Sequence, residues 1–139
     1  MRRQLFHIVA VSFLLICGCR ALEREGLMSL PENAPPLTYD EMLTRARGQS
    51  ASALDAFYTD AWFDLEQAAG RLEQSARLLP KSLLIPVKIK AKIADEADQL
   101  RQDAVKLIDA ARTKNSAQAN EAMQRINLRI RELRLAGSD

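Results

Sequence analysis

Histidine and cysteine, which supply much of the nucleophilic and acid-base chemistry of enzymes, are nearly absent from this chain. The sequence has one histidine and two cysteines, at positions 7, 17 and 19. Residues 20–139 therefore contain no imidazole to act as a base beside a serine and no thiol to act as a nucleophile. Residues 19–139 contain a single cysteine, so no disulfide can form within them.

Acidic side chains are the groups left for catalysis or metal binding. Asp60 and Asp64 lie one turn apart on a predicted helix, which a two-carboxylate catalyst would require, although such pairs more often lie in solvent. Asp95, Glu96 and Asp98 lack the loop of a calcium site. The chain has no glycine-rich phosphate loop and no nucleic-acid-binding motif. We therefore expect a protein that is not an enzyme, with no catalytic residue, cofactor or metal site.

The first 19 residues have the pattern of an export signal. Basic residues at positions 2 and 3 precede an apolar stretch over residues 5–16. The last residue of this stretch begins the sequence Ile16-Cys17-Gly18-Cys19. This apolar stretch is shorter than the roughly 20 residues of a membrane-spanning helix. Residues 16–19 resemble the lipobox of bacterial lipoproteins. The resemblance implies cleavage before Cys19, diacylglycerol on its thiol and an amino terminus acylated by a fatty acid such as palmitate. An ordinary secretory leader is the alternative.

The same resemblance implies a location in the cell envelope. In such lipoproteins an aspartate after the cysteine tends to retain the protein at the inner membrane, whereas this chain has Arg20, which favours the periplasmic side of the outer membrane. Two or three acyl chains are a sufficient anchor, because each buried methylene contributes about 0.8 kcal/mol. Murein-linked helical lipoproteins end in lysine, but this chain ends in Gly137-Ser138-Asp139, so no covalent link to the cell wall is implied.

Removal of the signal peptide, residues 1–18, would leave a chain of balanced charge. The signal peptide carries Arg2 and Arg3 and no acid, so 18 of the 20 basic residues remain against 18 acidic ones. The formal charge of +2 thus gives no indication of nucleic acid as a partner. Three prolines and the lack of an apolar period predict a flexible tether over residues 19–37. Residues 38–137 form the predicted folded domain.

The apolar residues of this domain recur at helical spacing and predict an all-α, antiparallel three-helix up-down-up bundle with coiled-coil-like seams. A capping box of Thr38 and Glu41 places the first helix start at Tyr39. Gly48 either kinks this helix or divides off a short fourth helix over 39–47. The first long helix then extends to residue 79, the second follows the turn at residues 80–86, and the third begins at residue 115 or 116.

Residues 54–134 resemble, in pattern, the four-helix cytochromes of the c-prime type. The resemblance rests on Ala110-Ala111-Arg112 and on the turn Lys114-Asn115-Ser116. It implies a shared scaffold without haem, because the chain has no Cys-x-x-Cys-His motif and no histidine after position 7. A small-molecule or metal-stress binding module is therefore the alternative function.

Charged residues predict how the helices pair and which end of the bundle is basic. Acids of the first helix (Asp55, Asp60, Asp64 and Glu66) are expected beside bases of a parallel third helix (Arg125, Arg129 and Arg131). Residues 75–94 contain no acid and five bases: Arg77, Lys81, Lys88, Lys90 and Lys92. With Arg131 and Arg134 they predict a basic pole, opposite the end where the tether leaves. A solvated surface and a contact with an anionic envelope polymer, another leaflet or an acidic protein both account for it.

Four aromatic residues cluster in the first long helix: Phe57, Tyr58, Trp62 and Phe63. Residues 57, 58 and 62 share a broad face that core packing explains, whereas Phe63 lies off that face and is expected to be exposed. A contact with a protein partner or a second copy of the chain is the functional interpretation. The sequence thus favours a membrane-anchored lipoprotein with a structural or adaptor role, through helix-mediated protein contacts.

Overall fold

The computed structural model describes residues 28–31 and 33–138, which form a helical bundle. Its elements are α1 (Tyr39–Tyr58), α2 (Trp62–Leu78), a 3-10 turn (Leu79–Lys81), α3 (Val87–Lys90), α4 (Ile93–Arg112) and α5 (Ser116–Gly137). Among these residues the β-type pairing is limited to one bridge between Thr38 and Leu83. The predicted all-α bundle is confirmed. The predicted signal peptide and Cys19 lie outside the described residues.

The start of α1 follows the predicted capping box. The Thr38 side chain accepts a hydrogen bond from the Glu41 backbone N–H at 3.3 Å, and the Thr38 backbone N–H donates to Glu41 Oε2 at 2.8 Å. The Thr38 hydroxyl donates to the same carboxylate oxygen at 2.7 Å. The two hydrogen bonds that Thr38 donates stabilise the ionised carboxylate and lower the pKa of Glu41. The last long helix also begins as predicted, because the side chain of Asn115 caps it by accepting from the Gln118 N–H at 3.1 Å.

The first helix does not break at Gly48, as the sequence suggested, but at residues 59–61. The Thr59 hydroxyl donates to the Asp55 carbonyl at 2.9 Å, and the Ala61 N–H donates to the Ala56 carbonyl at 2.9 Å. Asp60 closes the turn in the left-handed conformation, with φ of 54°, as in a Schellman-type helix end. The expected short fourth helix over 39–47 is thus a full helix of 20 residues, and the bundle has four long helices instead of three.

The four long helices pack around a common core in the order α1, α2, α4 and α5, with α5 returning to α1. Connections of three residues, 59–61 and 113–115, reverse the chain between helices, so neighbours are antiparallel. The largest fully buried side chains are mostly leucine: Tyr39, Leu65, Leu72, Leu79, Leu100, Leu107, Ile126 and Leu133. Many alanines fill the remaining core positions and allow the helices to approach closely.

The bundle consists of two equivalent helical hairpins, α1–α2 and α4–α5, offset by 54 residues. Nearly every buried residue of the first hairpin has a buried counterpart 54 positions later, such as Ala53 with Leu107 and Leu72 with Ile126. The two turns also match. In the second, the Thr113 hydroxyl donates to a carbonyl four residues back at 2.9 Å, and Lys114 has a φ of 53°. The two turns therefore share one backbone conformation, with a residue other than glycine in the left-handed position of each.

The expected pairing of acids in the first helix with arginines of the last helix is wrong. α2 and α5 lie across the bundle from each other, because α1 and α4 separate them. Arg125 and Arg129 instead donate to the buried carboxylate of Asp103 on α4, at 2.9 and 2.7 Å. Glu66 pairs with Arg112, also on α4, at 2.8 Å. The predicted pairing failed because the break at residues 59–61 makes α2 a separate helix, and α2 packs against α1 and α4.

The segment before α1 is less free than the predicted tether over residues 19–37. Leu30 exchanges two hydrogen bonds with the Gln74 side chain of α2, at 2.8 and 2.9 Å. Leu30 and Leu37 pack against the core, and the Met28 carbonyl accepts a hydrogen bond from Arg45. Described residues from Met28 onwards are therefore docked on the bundle, because two leucines and a paired glutamine offset the segment's loss of chain entropy.

Candidate functional site

The two ends of the bundle carry the residues that the sequence singled out. One end, the basic pole, is formed by the start of α1, the 3-10 turn, α3 and the end of α5. The other end, the aromatic pole, surrounds the turn between α1 and α2. The structure therefore separates Lys81, Lys88, Lys90 and Lys92 from Phe63 by about the length of a helix, which is roughly 25–30 Å for 17–20 residues.

All four lysines of the basic pole are exposed to solvent. They lie on the connection between the hairpins, residues 79–92, and α3 is the part of this connection that packs on α5. The chain enters the bundle at this pole, because Thr38 forms a β-bridge with Leu83 of the connection. The expectation that the chain enters at the opposite pole is therefore wrong, since α1 and α2 form a complete hairpin that begins and ends at the same pole.

An apolar tip projects from the basic pole beside the lysines. It consists of Leu83, Leu84 and Val87, which are 51%, 83% and 88% exposed, respectively. Ile85 packs against the core and Ile89 is buried, so these two residues hold the segment that carries the tip to the bundle. The tip is thus a fixed projection and its apolar side chains face solvent.

The backbone beneath this tip is pinned on both sides. Leu83 donates its N–H to the Leu37 carbonyl at 2.8 Å and accepts from the Tyr39 N–H at 2.8 Å. Leu84 then adopts a φ of 57°, a left-handed conformation that costs a leucine about 1–2 kcal/mol. The segment therefore holds an exposed leucine in a strained conformation, which neither packing nor backbone preference explains.

Tyr39 anchors the same pole from below. Its hydroxyl is buried and donates to the Leu133 carbonyl at 2.8 Å. Burial, followed by the negative charges of Asp40 and Glu96, raises the pKa of Tyr39 to about 12. Tyr39 consequently stays a neutral hydrogen-bond donor at neutral pH. Its role here is to join the start of α1 to the end of α5.

A groove of about 420 Å³ runs down the side of the basic pole between α1 and α5. Arg47, Arg131 and Arg134 line it together with one acid, Asp40. The predicted place of Arg131 and Arg134 at this pole is thus correct. Their positive charge extends the basic surface from the lysines of the connection onto the side of the bundle.

Two of the four aromatic residues at the aromatic pole are exposed. Tyr58 is 76% and Phe63 is 72% exposed, whereas Phe57 and Trp62 pack against the core. The ring of Phe57 makes edge contacts with Tyr58 and Trp62, at centroid distances of 5.7 and 6.0 Å. Exposure of Phe63 agrees with the sequence prediction. The expectation that Tyr58 packs in the core is wrong, because α1 ends at this residue and the face it shared with Leu54 does not continue.

The second hairpin shows that these aromatic residues are not required by the turn. Positions 54 residues later hold Ala111, Arg112, Ser116 and Ala117, yet the turn there has the same hydrogen bonds and the same left-handed residue. An arginine and an alanine therefore suffice where the first hairpin has Tyr58 and Phe63. The exposed rings are an addition to the fold, which makes them candidates for a binding role.

The acidic residues considered for catalysis or metal binding are spread over the surface. Asp60 lies in the turn and Asp64 in the first turn of α2, both exposed. Asp98 is hydrogen-bonded to Arg101 and Gln102, and these contacts lower the pKa of its carboxyl. Within residues 28–31 and 33–138, no three His, Cys, Asp or Glu side chains converge as metal ligands do. None of the helices described has both the length and the apolar character needed to cross a bilayer.

The apolar tip was missed at the level of sequence, although a signal for it exists. Residues 83–87 form an apolar run between Pro80 and the lysines of α3, too short for a core helix and with no strand to pair with. The sequence predicts only a turn over residues 80–86, whereas the structure exposes Leu83, Leu84 and Val87. No model of a protein family matches the chain, and no significant similarity was found to a curated protein or to a solved structure.

Proposed function

We propose that this protein is a non-catalytic adaptor of the bacterial cell envelope, anchored by acyl chains on Cys19 and binding a protein partner through its aromatic pole. The observation that carries the proposal is the exposure of Tyr58 and Phe63 at positions where the equivalent turn has Arg112 and Ala117. Aromatic side chains are enriched at the energetic centres of protein interfaces. The lipobox pattern at residues 16–19 supports the anchor.

The size of the patch favours a partner protein over a second copy of the chain. A fully buried aromatic side chain removes about 150–250 Å² from solvent. Tyr58 and Phe63 are about three quarters exposed, so they account for roughly a third of the 800 Å² per partner that a stable interface needs. Two rigid rings at one end of a bundle suit insertion into a pocket of a larger surface. Isologous self-association would need a broader face.

Two grooves lined by described residues do not single out a small molecule. One, of about 390 Å³, lies between residues 30–31 and 34–37 and the end of α2, and the other is the arginine-lined groove of the basic pole. The core between the helices is occupied by leucine and alanine side chains. These features therefore do not favour the alternative function, a small-molecule binding module on a haem-less cytochrome-like bundle.

The anchor and the partner contact can be tested separately on the intact protein. The amino-terminal peptide is expected to begin at Cys19 and to exceed the mass of the bare peptide by its acyl groups, and Cys19→Ser should release the protein from membranes. An uncleaved leader or a bare peptide mass would contradict the anchor.

For the partner contact, a photoreactive residue at position 63 is expected to give one heterologous crosslink in cells. Purified in isolation, that partner should bind the wild type. Tyr58→Arg with Phe63→Ala should abolish this binding because it removes both exposed rings. The variant should still fold, because arginine and alanine occupy the equivalent positions of the second hairpin. A matched control is Leu128→Ala with Leu135→Ala, two exposed leucines of α5. Equal loss in the control, or crosslinks between copies of the chain alone, would contradict a partner protein at this pole.

A further inference from the structure

The apolar tip and the lysines of the basic pole form one surface that the partner contact at the aromatic pole leaves unused. Leu84 and Val87 are more than four-fifths exposed, and Lys81, Lys88, Lys90 and Lys92 surround them in sequence. Residues 75–94 contain no acid, and the acids nearest to them at this pole lie in the first turns of α1 and α4, at Asp40, Glu41, Asp95 and Glu96. Apolar side chains next to lysines are the combination that a protein needs to bind at the interface of an anionic bilayer.

We propose that the basic pole docks on an anionic bilayer surface, with Leu84 and Val87 inserted among the lipid headgroups. Burial of apolar area provides one part of the affinity, and each lysine near an anionic surface adds about a further fivefold in binding. The lysines are compact charges on flexible stems, which suit a surface of mobile headgroups, whereas protein interfaces are depleted in lysine. The strained left-handed Leu84 fits this role because it keeps an apolar side chain at the apex.

The path of the chain agrees with a bilayer on this side. Residue 38 enters the bundle at the basic pole, and the described residues before it, 28–31 and 33–37, run back along α2, where Leu30 meets Gln74. Nine residues connect Cys19 to Met28, and nine residues span at most about 30 Å. This reach exceeds the roughly 25 Å length of α2. An anchor on Cys19 and the basic pole can therefore meet the same membrane.

The proposal rests on the proposed function for its membrane anchor and adds an orientation to it. A bundle that stands on its basic pole presents the aromatic pole about 25–30 Å from the bilayer surface. Tyr58 and Phe63 would then face a partner away from the membrane. The apolar tip would have affinity for an anionic surface even in a chain without acyl groups, so the two proposals can fail independently.

Fluorescence quenching by brominated lipids tests the docking on the full-length protein purified from membranes. The chain has one tryptophan, Trp62, which lies at the aromatic pole. A second variant carries Leu84→Trp with Trp62→Phe and moves this reporter to the tip. Each protein is combined with vesicles of brominated phosphatidylcholine, either alone or mixed with phosphatidylglycerol. We expect strong quenching of the tryptophan at position 84 in the mixed vesicles and little quenching of Trp62.

Charge variants then separate docking from anchoring. In the Leu84→Trp background, Lys90→Gln with Lys92→Gln is expected to lose most of the quenching, as is the addition of salt. Lys114→Glu changes the net charge equally at the opposite pole and should leave the quenching intact. Helix content by circular dichroism confirms that each variant is folded.

Three results would overturn the proposal. The tryptophan at position 84 could remain unquenched, as it would if a second copy or another protein covered the tip. It could be quenched equally in vesicles without phosphatidylglycerol, or Trp62 could be quenched as strongly. The mass of the amino-terminal peptide, measured on the same sample, reports separately on the anchor, so a failed anchor and a failed docking surface are distinguished.

Discussion

Gln49 and Asp103 occupy the same position in the two hairpins of the bundle and form two different buried contacts. Gln49 accepts a hydrogen bond from the Ser75 hydroxyl at 2.8 Å, and Asp103 accepts from Arg129 at 2.7 Å. Ser75 and Arg129 are themselves equivalent, 54 residues apart. The polar core position thus holds a neutral hydrogen-bonded pair, Gln49 with Ser75, in the first hairpin. In the second hairpin it holds an ion pair, Asp103 with Arg129, whose arginine is partly exposed to solvent.

This equivalence predicts that the ion pair can be replaced by the neutral pair. Asp103→Ala alone should lower the free energy of unfolding by about 2–3 kcal/mol, because it leaves the partly buried Arg125 and Arg129 without their carboxylate. Asp103→Gln with Arg129→Ser copies the first hairpin and should recover more than half of that loss. Urea denaturation measures both variants. A double variant no more stable than Asp103→Ala would show that the two positions are not interchangeable.

Gly137 should be intolerant of a side chain because of its approach to Tyr39. A Cβ at Gly137 would lie 2.9 Å from Cε1 of the Tyr39 ring and 3.5 Å from Pro86, so Gly137→Ala should destabilise the protein by about 1–2 kcal/mol. Gly70 is the matched control, since a Cβ there meets no atom within 4 Å. Gly70→Ala should stabilise α2 by up to about 1 kcal/mol. Thermal unfolding of the two variants should shift in opposite directions, and a common direction would contradict the close approach.

Leu84→Gly should separate the stability of the basic pole from its proposed membrane contact. Glycine adopts the φ of 57° without strain, so the variant is expected to be more stable by about 1 kcal/mol. Binding to anionic vesicles should fall, because the apex of the apolar tip is removed. Val87→Ala shortens the tip without altering a left-handed residue, and it should weaken vesicle binding with no gain in stability. Unchanged thermal stability of Leu84→Gly would refute the strain at this position.

Alkaline pH should loosen the start of α1 through Tyr39. Burial raises the pKa of Tyr39 from 10.0 to about 12, so the folded state holds the phenolic proton more tightly than the unfolded state. The stabilisation that depends on this proton is complete below pH 10 and is lost as the pH rises towards about 12. Tyr39→Phe loses the hydrogen bond to Leu133, worth about 1 kcal/mol, and should show a shallower decline over this range. Lysine and arginine titrate in both proteins, so the difference between their pH profiles isolates Tyr39.

The sequence was sufficient for features that depend on neighbouring residues. Thr38 and Glu41 predicted the start of α1, Asn115 predicted the start of α5, and the spacing of apolar residues predicted an all-α bundle. Exposure of Phe63 also followed from its position off the apolar face. A cap, a helical period and a helix face each involve residues within a few positions, and local hydrogen bonds and propensities determine them.

The tertiary structure alone decided the number of helices and the neighbours of each. The break at residues 59–61 contains neither glycine nor proline, and the apolar spacing continues through Tyr58 and Ala61, so a single helix was an equally good local solution. The chain reverses there because α2 can then bury Leu65 and Leu72 against α1 and α4. That reversal determines which pole the chain enters, that Arg129 meets Asp103, and that Leu84 is exposed at the basic pole. Contacts between distant residues set these features, and a pattern within one segment cannot encode them.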